Sequence, residues 1–358
     1  MKKILCLIDS LGAGGAQRQL VGLAMLLKQR GYEVTVACYH DNLFYIDALL
    51  SNGIPYVYLK KASNSIYRIW HVARYIRKAN PDIVISYLET PSICACVAHL
   101  FNKKFHLIVS ERNTTQHTGR NEKIRFNLFR TADYVVPNAF TQEQYIKEVF
   151  PFLTKKVVTI PNFVDLNNFF PMVKSNINKI PEILVAATIW PSKNTLGLIE
   201  AISKLASDGL KFHISWYGKS PAYIDYFNQC QELIDKLGIN NFIELKEKTT
   251  EIKEKYQNAD FFCLPSFYEG TPNVICEAMA SGLPIVCSDV CDNGRYVKDG
   301  KNGFLFNPRD ITSIYEAVKR MLFLDRDEYE QYRLRSRKIA EEMFSNEKFV
   351  KSYLKLIE

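Results

Sequence analysis

Short apolar runs alternate along this chain with longer stretches whose apolar residues recur every three to four positions. The first pattern predicts strands and the second helices. In the first half, strands are predicted near 2–9, 33–39, 54–59, 82–88, 105–111, 133–137 and 156–161. Helices are predicted at 16–30, 65–79, 90–101, 120–131 and 141–150. Runs such as Ile83-Val84-Ile85 and Leu107-Ile108-Val109 are apolar on both strand faces. That is the signature of a parallel sheet covered by helices on both sides. The pattern then restarts, with strands near 183–188, 211–217, 242–245, 260–264, 284–288 and 303–306. Helices follow at 194–207, 222–237, 250–257, 272–281, 310–323, 327–343 and 346–357. Asn162 to Pro181 has no clear period and reads as the linker. The prediction is an α/β protein of two doubly wound, Rossmann-like domains. Ligands of such sheets sit beyond the carboxyl ends of the strands, so function is expected in a cleft between the domains.

Composition narrows this reading. A chain of 358 residues exceeds the roughly 250–300 at which a single core stops growing. Hydrophobic residues make up 47% and charged residues 23%, which excludes a disordered, collagen-like or coiled-coil chain. The apolar start Ile4 to Ile8 is halted by Asp9, too short for a secretory core of about 7–15 residues. No run approaches the ~20 residues of a membrane span. A cytoplasmic protein is therefore expected, with a peripheral place on the inner face of the cell membrane as the further expectation. The nine cysteines form no Cys-x-x-Cys and no Cys/His cluster, so no metal site is expected. Charge is uneven: residues 1–165 carry 21 Lys+Arg against 12 Asp+Glu, while 166–358 carry 25 against 26. The basic half hints at an anionic partner, but no nucleic-acid-binding module is present.

Three segments carry candidate chemistry. The turn Asp9-Ser10-Leu11-Gly12-Ala13-Gly14-Gly15-Ala16-Gln17-Arg18 joins a strand to a helix. Its glycines allow close backbone approach and its helix start favours an anion. Gln17 stands where a dinucleotide fingerprint needs glycine, and no P-loop Lys-Ser/Thr follows. The second segment runs from Pro265 to Pro284. Thr271 is predicted as the helix N-cap and Pro272 as the first helical residue, which leaves Glu269 in the loop above a strand end and Glu277 on the helix. Asn273 and Glu277 share a helix face, and amides at 271–274 suit a diphosphate. With 22 Glu in the chain, one pair eight apart arises about once by chance, so the setting carries the argument. Lys193, at a loop-to-helix junction, is either a surface lysine or a phosphate partner.

The ordered set Gly14-Gly15-Ala16-Gln17-Arg18, Ser110-Glu111-Arg112-Asn113, Pro161-Asn162-x-Val164-Asp165, Lys193 and Glu269-x7-Glu277 resembles glycosyltransferase family 4 over nearly the whole chain. The resemblance implies a retaining, nucleotide-sugar-dependent enzyme of the GT-B fold, of the type that builds bacterial surface polysaccharides or lipid-linked oligosaccharides. It implies an acceptor domain at 1–165, with the C-terminal helix at about 344–358 packed back on it, and a donor domain at 166–343. Gly14 and Gly15 would lie over the donor phosphates and reaction centre, and Lys193 would pair the diphosphate. Glu269 would contact the donor sugar beside the backbone of Gly270, Thr271, Pro272 and Asn273, and Glu277 would accept from the ribose. Glu111, Arg112 and His117 would lie near the acceptor. Lys193, Glu269 and Gly15 would be the catalytic set, with no metal and no other cofactor. The family usually has Arg where Thr188 stands, Gly-Asp-Gly where Gly218-Lys219-Ser220 stands, and Glu where Arg295 stands.

The implied reaction moves a sugar from a nucleoside diphosphate sugar, with uridine preferred over guanosine, to a hydroxyl of a glycan or lipid-linked acceptor. Two other readings fit the same layout: a nucleotide-sugar 2-epimerase-like enzyme, and an inactive partner subunit that only binds the sugar nucleotide. A peripheral anionic membrane surface is a further expected partner. Residues 65–78 place Ile66, Ile69, Trp70, Ala73 and Ile76 on one helical face and Arg68, His71, Arg74, Tyr75 and Lys78 on the other. A basic-aromatic stretch follows at Arg120, Lys123, Arg125, Phe126, Phe129 and Arg130.

Overall fold

The computed structural model describes residues 1–59, 64–112, 116, 118–172 and 179–358. The chain folds as two compact units, Met1–Asn162 with Asn346–Glu358, and Phe163–Ser345. The chain crosses between them twice, so the last helix returns to the first unit.

In the first unit the elements run β1 (Lys3–Leu7), α1 (Gly15–Gln29), β2 (Glu33–Cys38), α2 (Ile46–Ser51), β3 (Tyr56–Tyr58), α3 (Ser65–Ala79), β4 (Ile83–Tyr87), α4 (Glu89–Phe101), β5 (His106–Glu111), α5 (Arg120–Phe129), β6 (Tyr134–Pro137) and α6 (Phe140–Val149). In the second they run β7 (Glu182–Ala186), α7 (Thr195–Ser207), β8 (His213–Lys219), α8 (Ile224–Leu237), β9 (Ile243–Glu247), α9 (Ile252–Asn258), β10 (Phe261–Leu264), α10 (Asn273–Ala280), β11 (Ile285–Ser288), α11 (Asn293–Tyr296), β12 (Gly303–Phe306), α12 (Ile311–Leu322) and α13 (Arg326–Phe344). Helix α14 (Asn346–Ile357) closes the chain.

Both sheets are six-stranded and parallel, ordered β3-β2-β1-β4-β5-β6 and β12-β11-β10-β7-β8-β9. These are the same doubly wound order, traced from opposite edges. Each sheet reverses direction once, between β1 and β4 and between β7 and β10, and there the ligand crevice of such a sheet opens. The cores follow from the double-faced strands: Leu5, Leu7, Val84, Leu107 and Val109 are fully or nearly fully buried in one sheet, and Ile183, Val185, Ile214, Phe261 and Cys263 in the other.

Three departures have physical causes. Residues 156–161 form no strand, only an isolated bridge from Val157 to Val135, because the run ends at Pro161 and lies outside β6. Helix α2 is a short turn of helix without a long apolar period. Residues 163–172, read as linker, pack into the second unit: Val164 is buried, the Phe169 ring meets Tyr256, and the Val164 amide donates to the Phe344 carbonyl.

Gly218 explains why a glycine interrupts β8. A Cβ there would lie 1.7 Å from the Ala187 carbonyl oxygen. That oxygen also accepts from Trp216 Nε1 at 2.8 Å, and the Ile189 amide donates to the Gly218 carbonyl at 3.0 Å. The loop that leads to Lys193 is therefore laid directly on the end of β8.

Candidate active site

In the second unit the site is built from the loops after β7 and β10, the two strands flanking the switch point. After β7, a single 3₁₀ turn at Pro191–Lys193 ends at Asn194, whose left-handed backbone (φ 54°) starts α7. Asn194 Nδ2 pins this corner by donating to the Pro308 carbonyl at 2.8 Å. After β10, the Phe267 amide donates to the Ser192 carbonyl at 2.9 Å and fastens the two loops together. Lys193 and Glu269 are thereby brought into direct ion-pair contact, with their side chains 21% and 11% exposed. Ser266, fully buried, donates its hydroxyl to the same Glu269 oxygen at 2.6 Å. A half-buried pair of this kind presents one positive and one negative group at fixed positions, and neither can leave without uncovering the other.

Glu269 is followed by the turn Gly270-Thr271-Pro272 and then by α10. The sequence places the cap at Thr271, but the structure places it one residue later. Pro272 is the N-cap, its carbonyl accepting from the Ile275 and Cys276 amides at 3.1 and 3.2 Å. Thr271 is buried, and its hydroxyl meets the Tyr296 hydroxyl at 3.0 Å. Because Pro272 has no N–H, the leading amides of α10 begin at Asn273. Glu277 is buried on α10, and the fully buried Tyr256 of α9 donates to its Oε2 at 3.0 Å.

The substituted family positions are also accounted for. Thr188 lies in the loop seated on Gly218. Lys219 pairs with Glu247 at 2.9 Å and sits 4.8 Å over the Phe227 ring. Arg295 lies 3.5 Å from the buried Asp292. Among the described residues, no group of three or more His, Cys, Asp or Glu side chains is arranged to hold a metal ion.

In the first unit, Gly14 caps α1 in an extended conformation and Gly15 is the first helical residue. A Cβ on Gly14 would fall 2.1 Å from Gln17 Oε1. The glycine thus leaves room for Gln17, whose amide donates to Asp9 Oδ1 at 3.1 Å. The non-glycine at position 17 is a brace for the turn.

Two residues assigned to the acceptor are engaged in the fold. Glu111 is 3% exposed and faces the guanidinium of the buried Arg125 at 3.6 Å, so it anchors an internal cation. Arg112 stacks 3.9 Å over the Tyr87 ring and donates to Tyr353 of α14 at 3.0 Å and to Asn162 at 2.8 Å. It ties the returning helix to the first sheet. His117 lies outside the described residues.

The helix read for a membrane surface turns part of its expected apolar stripe inward: Ile69, Ala73 and Ile76 pack into the first core. In α3 it is Val72 and Ile76 that are buried, whereas Ile66 and Trp70 are 79% and 51% exposed. The exposed face therefore carries Ile66, Tyr67, Trp70, His71, Arg74, Arg77 and Lys78 together. Arg74 lies 5.1 Å over the Trp70 ring. In the second basic-aromatic stretch, Arg125, Phe126 and Phe129 are core residues. Among the described residues, no helix is long and apolar enough to cross a membrane.

Comparison with known proteins agrees with this architecture. The family model "Glycosyltransferase Family 4" matches residues 13–168, and "Glycosyl transferases group 1" matches residues 180–323. An N-acetylgalactosaminyltransferase of Campylobacter jejuni, named for a diphospho-undecaprenol acceptor, is 25% identical over 340 residues, covering 90% of each chain. The amylovoran biosynthesis glycosyltransferase AmsD of Erwinia amylovora is 24% identical over 326 residues, covering 86% of this chain and 88% of its own. The crystal structure of Anabaena HepE in complex with UDP and glucose superposes with a TM-score of 0.85 at 19% identity, over 99% of both chains. The two family matches make the chain a glycosyltransferase of the hexosyltransferase type. Together these two matches span most of the chain, which belongs to glycosyltransferase family 4.

Proposed function

We propose that the enzyme transfers a hexose from a uridine diphosphate sugar to a hydroxyl of a glycan or lipid-linked acceptor, with retention at the anomeric carbon. The observation that carries this reading is the Lys193–Glu269 pair at the switch point of the second sheet, beside the start of α10. Lys193 meets the negative charge that grows on the leaving diphosphate, and the leading amides of α10 add to it. Glu269 accepts hydrogen bonds from hydroxyls of the donor sugar and offsets the positive charge of an oxocarbenium-like centre. Glu277 accepts from the ribose. In this reading the cationic side chain and the helix amides serve where other transferases use a metal, and the acceptor hydroxyl approaches the face that the diphosphate leaves. The UDP and glucose of the HepE complex support the donor class, and the undecaprenol acceptor in the Campylobacter enzyme's name supports the acceptor class.

The donor test is a thermal-shift series with UDP, GDP and their hexose conjugates. At 100 times its Kd, a ligand adds roughly 2.7 kcal/mol to the stability of the unit that binds it. A clear rise with UDP is expected. No rise with any nucleoside diphosphate would overturn the donor reading.

The same proposal includes a peripheral membrane contact through the exposed face of α3. Ile66, Tyr67 and Trp70 supply an apolar and aromatic end, and Arg74, Arg77 and Lys78 a basic one. Each basic side chain near an anionic leaflet contributes about 1 kcal/mol. Reversing these three charges is expected to cut binding to phosphatidylglycerol vesicles by two orders of magnitude at low salt, and wild-type binding should fall steeply with salt. Co-sedimentation with no low-salt binding would remove this contact and leave the transferase reading intact.

A further inference from the structure

The second unit carries a groove of about 240 Å³ away from the donor loops. Gly282, in its wall, stands just before β11, so the groove lies at the amino end of the sheet. Lys193 and Glu269 follow the carboxyl ends of β7 and β10, at the opposite pole. Pro171 and Met172 form one wall of the groove, and α13 forms the other with Glu330, Arg333, Leu334 and Arg337. These four residues stand at i, i+3, i+4 and i+7, which is one helix face. At about 1.5 Å per residue that face is roughly 10 Å long, the reach of about three extended residues.

Polar contacts beneath the surface hold both walls in place. Arg333 is 8% exposed, and each branch of its guanidinium is used. Its Nε donates to the Gly282 carbonyl at 3.3 Å, its Nη2 to the Met172 carbonyl at 2.7 Å and its Nη1 to Glu330 at 3.0 Å. Arg337 Nη1 donates to the Phe169 and Ala280 carbonyls at 2.9 and 2.7 Å, and its Nε donates to Glu341 at 2.6 Å. Gly282 has a left-handed backbone (φ 71°), and a Cβ there would lie 2.9 Å from Pro171 Cγ. The glycine therefore lets the Pro171 wall come this near.

The groups left over select the ligand. Arg337 Nη2 has no hydrogen bond among the described residues, and a free guanidinium edge suits a carboxylate. Glu330 is half-exposed and keeps acceptor capacity beyond its bond from Arg333, which suits an N–H. Between them Leu334 is 62% exposed, and Phe170 and Met172 on the other wall are exposed too. A phosphate would leave these apolar walls uncovered, and a fatty acid would leave Glu330 without a donor. The carboxyl end of a polypeptide brings the carboxylate, the apolar side chain and the N–H together. By volume share the groove holds roughly eight heavy atoms, about those of a terminal leucine from its Cα outward with its carboxylate.

We propose that this groove docks the carboxyl terminus of a partner protein that ends in a bulky apolar residue. Arg337 receives the terminal carboxylate, Pro171, Met172 and Leu334 receive the last side chain, and Glu330 accepts from an upstream main-chain N–H. Arg333 fixes the floor without touching the peptide. The inference goes beyond the proposed donor and acceptor and does not rest on them: it gives the enzyme a surface that holds another protein while the donor loops stay open to substrate.

Saturation-transfer NMR and calorimetry on the full chain test this with acetyl-Ala-Ala-Leu and acetyl-Ala-Ala-Phe, each as the free acid and as the C-terminal amide. At least one acid is expected to bind in the millimolar range, and its amide about tenfold more weakly, the loss of one charge-assisted hydrogen bond. Arg337→Gln should bring acid and amide to the same affinity, a signature that a merely structural arginine would not give. Leu334→Ser, at an exposed position that the fold does not need, should weaken both severalfold while the melting temperature and UDP affinity stay unchanged. Acetyl-leucine alone should bind severalfold more weakly than the tripeptide, and equal affinity would mark a site for small acids and overturn the protein partner. No binding by either acid, equal binding of acid and amide by the wild type, or binding that Leu334→Ser leaves unaltered overturns the proposal.

Discussion

Replacing Lys193 by alanine is expected to lower turnover of the donor by two to three orders of magnitude and to weaken UDP binding about tenfold. The argument starts from where charge moves. Breaking the glycosidic bond to a diphosphate leaves negative charge on its oxygens, and a preorganised cation there acts mostly in the transition state. Removing a single such group costs about 10²–10³ in kcat. Lys193 is preorganised here by its contact with Glu269 and by the backbone bond from Phe267 to Ser192 that locks the two loops. The alanine variant also leaves the Glu269 carboxylate, 11% exposed, with Ser266 but without its cation. A companion Glu269→Gln variant separates the two effects. If Lys193 acts on the diphosphate, Lys193→Ala loses UDP affinity while Glu269→Gln keeps it and loses turnover. The measurement is UDP release from UDP-hexoses together with calorimetry on UDP. Full activity in both variants would show that the pair is only structural.

Much of this site was legible because its parts are local. Lys193 stands at the junction that ends one βα turn. Glu269 to Pro284 carries its own punctuation of strand end, Pro-bounded helix start and Gly-Leu-Pro exit. The parallel strands were legible for the same reason, since burial on both faces leaves unbroken apolar runs. What was not legible depends on which competing partner a side chain takes. The Tyr296 hydroxyl that Thr271 meets lies 25 residues away, and only the fold brings it there. On α3 the apolar period is wider than the strip the core can cover, so Ile69, Ala73 and Ile76 pack inward while Ile66 and Trp70 stay exposed. Arg125 reads as one of several surface bases until α5 turns it inward between Glu89 and Glu111. The cavity at the strand ends of the first sheet carries no contiguous motif, because Asp9, Tyr39, Arg68 and Glu89 come from four separate segments. A parallel sheet brings its strand ends together without leaving a motif in the sequence. One cue was present: Leu88-Glu89 follows a double-faced strand next to the switch point, where a polar residue at the strand end is a binding candidate.

Substituting Glu277 by glutamine is expected to raise the Kd for UDP by one to two orders of magnitude with little loss of fold stability. Glu277 is 3% exposed on α10, and Tyr256 donates to its Oε2 at 3.0 Å. A carboxylate at that depth is costly unless donors surround it. Tyr256 supplies one, and the ribose hydroxyls would supply more when the nucleotide binds. A hydrogen bond to a charged group is worth about 1.5–3 kcal/mol, which corresponds to roughly 10–150-fold in affinity. Glutamine keeps the shape and can still accept from Tyr256, so the fold is preserved while the charge assistance is lost. Alanine differs: it removes the acceptor that the fully buried Tyr256 hydroxyl reaches at 3.0 Å and opens a void beside it. It should therefore lower the melting temperature as well as the affinity. Tyr256→Phe is the control, because it removes the internal donor and leaves the carboxylate for the ligand. If Glu277 grips the ribose, UDP affinity falls in Glu277→Gln far more than in Tyr256→Phe, while uracil alone, which lacks the sugar, shows no difference among the three proteins. Equal UDP affinity in wild type and Glu277→Gln would reassign Glu277 to the core.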